Sequence, residues 1–91
     1  MLAELTVIEL GDYVAVPMCG KLLAGLGAEV IKVEPPGRGD SARRHGPFPG
    51  DVPHAERSGL FLHLNVNKSA VTLDAATDEG RALLADLLAL A

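Results

Sequence analysis

The sequence predicts an α/β fold built on a small parallel β-sheet. Two short apolar segments flank one amphipathic helix pattern, so residues 5–34 are predicted as strand, helix and strand. A glycine directly follows the helix pattern, where helices commonly end. A third strand-like segment and a second amphipathic helix come after a long Pro/Gly-rich loop. The predicted order is therefore βαβ, long loop, β, α, in one small domain covering residues 1–91.

The first strand and helix are defined by apolar spacing and by two helix signals. Residues 5–10 (LTVIEL) form a short apolar run, as expected for a strand buried in a parallel sheet. Pro17 suits the first turn of a helix, because the N–H that it lacks has no partner there. Gly27 is a natural left-handed stop. The apolar stripe between these two signals consists of Met18, Leu22, Leu23 and Leu26.

The second strand completes a βαβ unit. Residues 28–34 (AEVIKVE) are β-branched at their centre, and Pro35 and Pro36 end them. Strands joined through one helix run parallel, with a right-handed crossover. Ligands of open α/β sheets bind outside the carboxyl ends of the strands, so the loop that begins at Pro35 is the first place to look for chemistry.

Residues 35–59 have the composition of a long loop. They hold five of the six prolines and five glycines, together with four arginines and two of the three histidines. A loop of this length inside a compact domain is either functional or disordered. Its start at the carboxyl edge of the sheet favours a function.

The remaining elements are a short apolar segment, a strand and a helix. Residues 60–64 (LFLHL) are predicted as a helical turn capped by Ser58. Residues 70–73 (AVTL) are the third strand, and Thr77 is the N-cap of the last helix. The apolar face of that helix consists of Leu83, Leu84, Leu87, Leu88 and Ala91. Because no stop signal follows, we expect an interrupted domain, or a helix end buried against a partner chain.

Composition excludes several classes of protein. A net charge of −4 disfavours binding to nucleic acid or to anionic membranes, and three aromatic residues are too few for base stacking. They also predict an aliphatic core. Neither a signal peptide nor a transmembrane run is present, so we expect a cytoplasmic protein. The single cysteine, Cys19, is expected to be a buried and inert thiol.

The first strand–helix connection disfavours a dinucleotide site. Dinucleotide-binding folds place G-x-G-x-x-G here so that the backbone can approach a pyrophosphate. This chain has GDYVAV, with Tyr13 and Val16 at the second and third glycine positions. Glu34 at the end of the second strand could hold a ribose, but a solvated Glu34 is favoured.

Other candidate residues leave alternatives open. Arg38 lies in a flexible Gly-Arg-Gly-Asp turn and could pair with a phosphate, or it could be a surface arginine without a ligand. Lys68 could meet a phosphate, although a structural role is slightly favoured. The irregularly spaced histidines do not predict a metal site, and the serines lack a nucleophile elbow.

Several segments together resemble the family III CoA-transferases, a group that includes formyl-CoA transferase, carnitine-CoA transferase and α-methylacyl-CoA racemase. They occur in the family's order and cover nearly the whole chain. The matching segments are VIEL (7–10), PMCGKLLAGLGAEVIKVE (17–34), PGRGDSAR (36–43), NVNKSAVTLD (65–74) and DEGRALL (78–84).

The resemblance implies a Rossmann-like domain that binds coenzyme A, in an interlocked homodimer. It implies CoA transfer between an acyl-CoA and a carboxylic acid, in which an aspartate attacks the thioester and aspartyl-CoA intermediates follow. In the family's order that aspartate comes well after residue 91. We therefore assign no catalytic residue and expect this chain alone to be inactive.

The resemblance also implies a set of CoA-facing residues. Its CoA-facing segment after the first strand falls on Tyr13, Val14 and Ala15, and Leu73 falls on a position lining the adenine pocket. Arg38 stands close enough to replace an arginine that some relatives carry at the position of Pro35. The other departures from the family pattern are Val16, where relatives usually have glycine, and Ala76, where a phosphate-contacting lysine can occur.

Two alternatives to a transferase remain. One is a racemase of the same family, which moves a proton α to a thioester carbonyl. The other is a non-catalytic nucleotide-binding or interaction module that uses the apolar face of the last helix.

Overall fold

The chain forms an open three-stranded parallel sheet in the computed structural model, which describes residues 2–91. The strands are β1 (Thr6–Glu9), β2 (Glu29–Glu34) and β3 (Ser69–Thr72), in the order β1-β2-β3. Both pairings are parallel. The predicted α/β class is confirmed, and each strand lies within one residue of its predicted position or inside it.

Three α-helices in the described part of the chain connect and flank the strands. They are α1 (Ala15–Gly25), α2 (Gly59–Leu64) and α3 (Asp78–Leu88). The long loop between β2 and α2 contains two short 3₁₀ turns, Ser41–Arg44 and Pro49–Asp51. No helix within residues 2–91 has the length and apolar character needed to cross a membrane.

The helix signals in the sequence act as predicted. Gly27 has φ 103°, the left-handed conformation that ends α1 one residue beyond its C-cap. The Ser58 hydroxyl accepts a hydrogen bond from the Phe61 N–H and caps α2. The Thr77 hydroxyl accepts from the Gly80 N–H and caps α3. These side chains satisfy amide groups that the first turn of a helix leaves without a partner.

The strand register aligns the carboxyl ends at one edge of the sheet. Glu9, the last residue of β1, pairs with Lys32, two residues before the end of β2. Glu34, the last residue of β2, pairs with Thr72, the last residue of β3. The loops that leave these three strand ends are consequently neighbours in space.

The core is mostly aliphatic, as composition predicts, with one aromatic residue. Val30, Val33 and Leu64 are buried at the centre, and Phe61 is also buried. The Arg43 guanidinium carbon lies 3.8 Å from the centroid of the Phe61 ring, a cation–π contact that covers the ring. This contact brings the long loop against α2.

Cys19 contradicts its prediction, because its thiol is exposed. It lies on α1 beside an apolar cavity of about 280 Å³ between α1 and β1, lined also by Ile8, Val16 and Leu23. The helix does place Cys19 on an apolar face. No described residue covers that face, so the thiol is left open.

Candidate functional site

The candidate site is the carboxyl edge of the sheet, hereafter the rim. It comprises three segments, one after each strand: residues 11–14, residues 35–41 and residues 73–77. Each segment carries at least one residue predicted to face a ligand: Tyr13 and Val14 in the first, Arg38 in the second and Leu73 in the third. The parallel topology brings all three segments to the same edge, as predicted.

Tyr13 is held in a conformation that is uncommon for a residue with a side chain. Its φ is 67°, in the left-handed region. Its N–H donates to Asp40 Oδ1 at 3.0 Å, and its ring centroid lies 4.9 Å from that of His45. Tyr13 is 44% exposed and so remains open to solvent or a ligand. Strained backbone of this kind persists where surrounding contacts hold it, and it clusters at functional sites.

A second contact also joins residues 11–14 to residues 35–41, but here the acceptor lies on the first segment and the donor on the second. Asp12 Oδ1 accepts from the Ser41 N–H and Asp12 Oδ2 accepts from the Ser41 hydroxyl, both at 2.7 Å. Partial burial acts to raise the pKa of Asp12. The hydrogen bonds that Ser41 donates outweigh that burial and lower the pKa from 3.8 to about 2. Asp12 is therefore a carboxylate at neutral pH.

Arg38 lies at an open cavity of about 160 Å³ within the second segment. The cavity is also lined by Arg43, but that guanidinium is committed to Glu34 at 2.8 Å and to Glu56 at 3.3 Å. Within residues 2–91, the Arg38 side chain makes no ion pair or hydrogen bond. Arg38 is thus the cation at this cavity that is available to an anion.

Glu34 corrects the expectation of a solvated acid. It is only 6% exposed, because both carboxylate oxygens are held. Oε1 accepts from Arg43 Nε and from the Asp40 N–H, and Oε2 accepts from Arg43 Nη2 at 2.9 Å. The bond with Arg43 lowers the pKa of Glu34 despite burial, and the same bond raises the pKa of Arg43. Glu34 thus shapes the loop, and both of its oxygens are engaged within it.

Leu73 is connected to the second segment through the backbone. Its N–H donates to the Glu34 carbonyl at 2.9 Å, directly after β3 ends. Thr72 beside it lines the Arg38 cavity. Through Glu34 and Asp40, hydrogen bonds therefore link Leu73 to Tyr13 across the rim.

Val14 and Ala15 are placed differently from Tyr13. Val14 is the N-cap of α1, partly exposed, and its side chain makes no capping bond. Ala15 begins α1 and lines the apolar cavity between α1 and β1, beside Val16. The candidate CoA-facing stretch thus turns from the rim at Tyr13 toward that apolar cavity at Ala15.

A buried ionic network lies beneath the rim, and sequence reasoning missed most of it. Lys32 Nζ contacts Glu9 Oε2 at 2.8 Å and Asp40 Oδ2 at 2.6 Å. Lys68 Nζ contacts Glu9 Oε1 at 2.6 Å and donates to the Pro17 carbonyl at 2.9 Å. Burial alone would lower the pKa of Lys32, but Asp40 and Glu9 raise it above its ordinary value. For Lys68, burial dominates and lowers the pKa.

The network settles the predicted role of Lys68 and shows which sequence signal pointed to these contacts. Lys68 has the structural role that was slightly favoured, and its side chain is only 1% exposed. The signal that could have revealed the network is Lys32 itself, a charge inside an otherwise apolar buried strand. Such a residue needs partners, because an unpaired buried charge costs several kcal/mol, and only the fold shows that Glu9 and Asp40 supply them.

Comparisons with known proteins show the family of this chain. The chain matches the family described as CoA-transferase family III over residues 2–91. It is 45% identical over 87 residues to succinyl-CoA–D-citramalate CoA-transferase of Chloroflexus aurantiacus, covering 96% of this chain and 21% of that protein. It is 49% identical over 72 residues to formyl-CoA:oxalate CoA-transferase of Afipia carboxidovorans, covering 79% of this chain and 16% of that protein.

A solved structure gives the same result for the fold. A CAIB/BAIF family protein from Brucella suis superposes with a TM-score of 0.83 and 46% identity, covering 99% of this chain and 24% of that one. The chain belongs to CoA-transferase family III. It spans about a fifth of the length of the curated relatives it matches.

Proposed function

We propose that the rim binds the nucleotide end of coenzyme A, and that the natural polypeptide carrying this sequence transfers CoA from an acyl-CoA to a carboxylic acid. The observation that carries the proposal is the convergence of Tyr13, Arg38 and Leu73 on one hydrogen-bonded edge in a member of this family. The relatives named above are CoA-transferases that use CoA thioesters and acids.

The charges at the rim suit a phosphate at Arg38. The chain carries a net charge of −4, so an anionic nucleotide needs a local cation. The charge of Arg43 is neutralised by Glu34, so the guanidinium of Arg38 at the cavity is the one available to a phosphate. We propose that Leu73 and the exposed Tyr13, on the neighbouring rim segments, supply apolar surface for the adenine.

The proposed chemistry follows nucleophilic catalysis by a carboxylate. An aspartate attacks the thioester carbonyl and releases CoA thiolate, which leaves a mixed anhydride. The thiolate then attacks the aspartyl carbonyl, releases the first acid and forms aspartyl-CoA. The incoming carboxylate attacks this thioester in turn, and the released thiolate converts the second anhydride to the new acyl-CoA.

The aspartates of the rim are poor candidates for that nucleophile. Asp40 is 2% exposed and paired with Lys32, and Asp12 is bound by Ser41. Asp74 accepts from the Ala76 N–H in a local turn. We therefore assign the nucleophile to no residue of this chain, and propose that the 91-residue chain alone is inactive and binds CoA weakly. Submicromolar affinity of the chain alone would contradict this.

The experiment that tests the CoA site compares two arginines of the same loop. In the natural polypeptide, Arg38→Ala removes the available cation, so we expect CoA to bind about tenfold more weakly in calorimetric titration, with a smaller dependence on salt. Arg57→Ala is the matched control, because Arg57 is exposed and does not line the cavity. Equal affinity of Arg38→Ala and wild type would remove Arg38 from the site.

Mass spectrometry of the reaction separates the catalytic alternatives. Transfer of acyl groups between CoA and a free acid supports the transferase. Exchange of the α-proton in deuterated water without transfer indicates the family racemase instead. We also propose that the natural polypeptide is a cytoplasmic, interlocked homodimer, for which sedimentation gives the oligomeric state.

A non-catalytic interaction module is the second candidate function. The observation that favours it is the apolar face of α3, where Leu83 is 54% and Leu88 is 47% exposed. Wild-type protein that fails to bind CoA in the titration above would favour this candidate over the first.

A further inference from the structure

We infer that Asp12 and Asp40 are positioning residues, which clasp the first two rim segments together and so hold Tyr13 in place for the nucleotide. This inference rests on the proposed function, since it concerns how the CoA site keeps its shape. Neither residue is assigned to the chemistry. Each acts through the backbone of the opposite segment.

The clasp is reciprocal. Asp12, on the first segment, accepts two hydrogen bonds from Ser41, which follows Asp40 on the second segment. Asp40, on the second segment, accepts the Tyr13 N–H of the first. Three hydrogen bonds of 2.7, 2.7 and 3.0 Å therefore join loops separated by 27 to 29 residues in sequence. All three have a carboxylate acceptor, which makes them stronger than neutral bonds.

The clasp is anchored in the core from one side. Asp40 Oδ1 also accepts the Ala42 N–H at 2.8 Å, and Asp40 Oδ2 lies 2.6 Å from the buried Lys32 Nζ. Asp40 is thus fixed to the central strand β2, and Tyr13 is fixed to Asp40. Asp12, by contrast, is exposed and makes the outer half of the clasp.

Tyr13 needs such a clasp because its backbone is strained. A left-handed backbone is less stable for a residue with a side chain than its ordinary conformations are. Without hydrogen bonds across the rim, residues 11–14 would relax, and the Tyr13 ring would leave its place beside His45. A binding loop that must be ordered anew by each ligand binds less tightly than a preorganised one.

The outer half of the clasp can be tested without damaging the core. In the natural polypeptide, Asp12→Ala removes both acceptors of Ser41, Asp12→Asn removes the charge but keeps one oxygen acceptor, and Ser41→Ala removes only the hydroxyl. The readouts are amide hydrogen exchange of residues 11–14, the Kd for CoA, and KM against kcat in the transfer reaction.

We expect faster exchange at residues 11–14 in Asp12→Ala, with the Kd and KM for CoA substrates raised about tenfold and kcat unchanged. Asp12→Asn should recover most of the wild-type affinity, and Ser41→Ala should lie between. A purely electrostatic role predicts the reverse, because removing a negative charge in either Asp12 variant would tighten binding of an anionic ligand.

The failures are distinguishable. Unchanged exchange in Asp12→Ala would show that the clasp does not hold the segment. Faster exchange with an unchanged Kd would overturn the positioning role and leave the CoA site intact. Wild-type protein that does not bind CoA at about 1 mM would overturn the proposed function, and the positioning role with it.

Discussion

Gly20→Ala is expected to destabilise the protein, although alanine is the better helix former. Gly20 lies within α1, where alanine gains about 0.8–1 kcal/mol over glycine. A Cβ at this position would overlap Glu9 Oε1 and would stand 3.2 Å from Lys68 Cε. Glu9 cannot simply move aside, because Lys32 and Lys68 hold its two oxygens in the buried network.

The size of the destabilisation follows from the displacement of Glu9 that the clash requires. Pushing Glu9 away breaks or distorts a buried ion pair, which costs about 3–5 kcal/mol when a partner is lost. Overpacking with a compensating shift costs about 1–3 kcal/mol. Subtracting a helix gain of about 1 kcal/mol leaves about 0–2 kcal/mol for overpacking and about 2–4 kcal/mol for loss of the ion pair, so we expect Gly20→Ala to lower the free energy of unfolding by about 2 kcal/mol.

The assay is urea unfolding of the natural polypeptide, with Gly25→Ala as the matched control. Gly25 is in the same helix, and nothing lies within 4 Å of the position that a Cβ would take there, so alanine should stabilise by up to about 1 kcal/mol. A double-mutant cycle with Glu9→Ala tests the cause, since Glu9→Ala removes the clashing atom. Equal stability of Gly20→Ala and Gly25→Ala would refute the clash, and so would additive effects of Gly20→Ala and Glu9→Ala.

Two further predictions concern a buried cap and an acid. Ser58→Ala removes the N-cap of α2 and a fully buried hydroxyl, so the free energy of unfolding should fall by about 2 kcal/mol. Ser69→Ala is the control, because Ser69 is exposed, and it should change the free energy of unfolding by less than about 0.5 kcal/mol. Equal effects of the two serines in urea unfolding would contradict the capping role. Asp12 has a folded-state pKa near 2, below its ordinary 3.8, so its stabilising effect is complete above about pH 4 and is lost as the pH falls toward 2. The stability difference between wild type and Asp12→Asn should therefore shrink over that interval, and a difference that stays constant would contradict the assigned shift.

Local sequence determined the elements of this protein because their causes are local. Gly27, Ser58 and Thr77 mark helix ends through their own backbone freedom or their own hydroxyl, and the structure has them in those roles. Apolar spacing and Pro35 placed the strands within a residue of their observed ends. The parallel order then brought the three rim segments together, since strands joined by helices share a carboxyl edge.

Only the tertiary structure decided which charged groups form ion pairs and which side chains are exposed to solvent. Glu34 was expected in solvent and is buried against Arg43, and Cys19 was expected in the core and is exposed. The clasp between Asp12 and Ser41 joins residues 29 positions apart, and the contact of Lys68 with the Pro17 carbonyl spans 51. Burial and pairing of this kind depend on where distant segments meet, and no local pattern of residues encodes that distance.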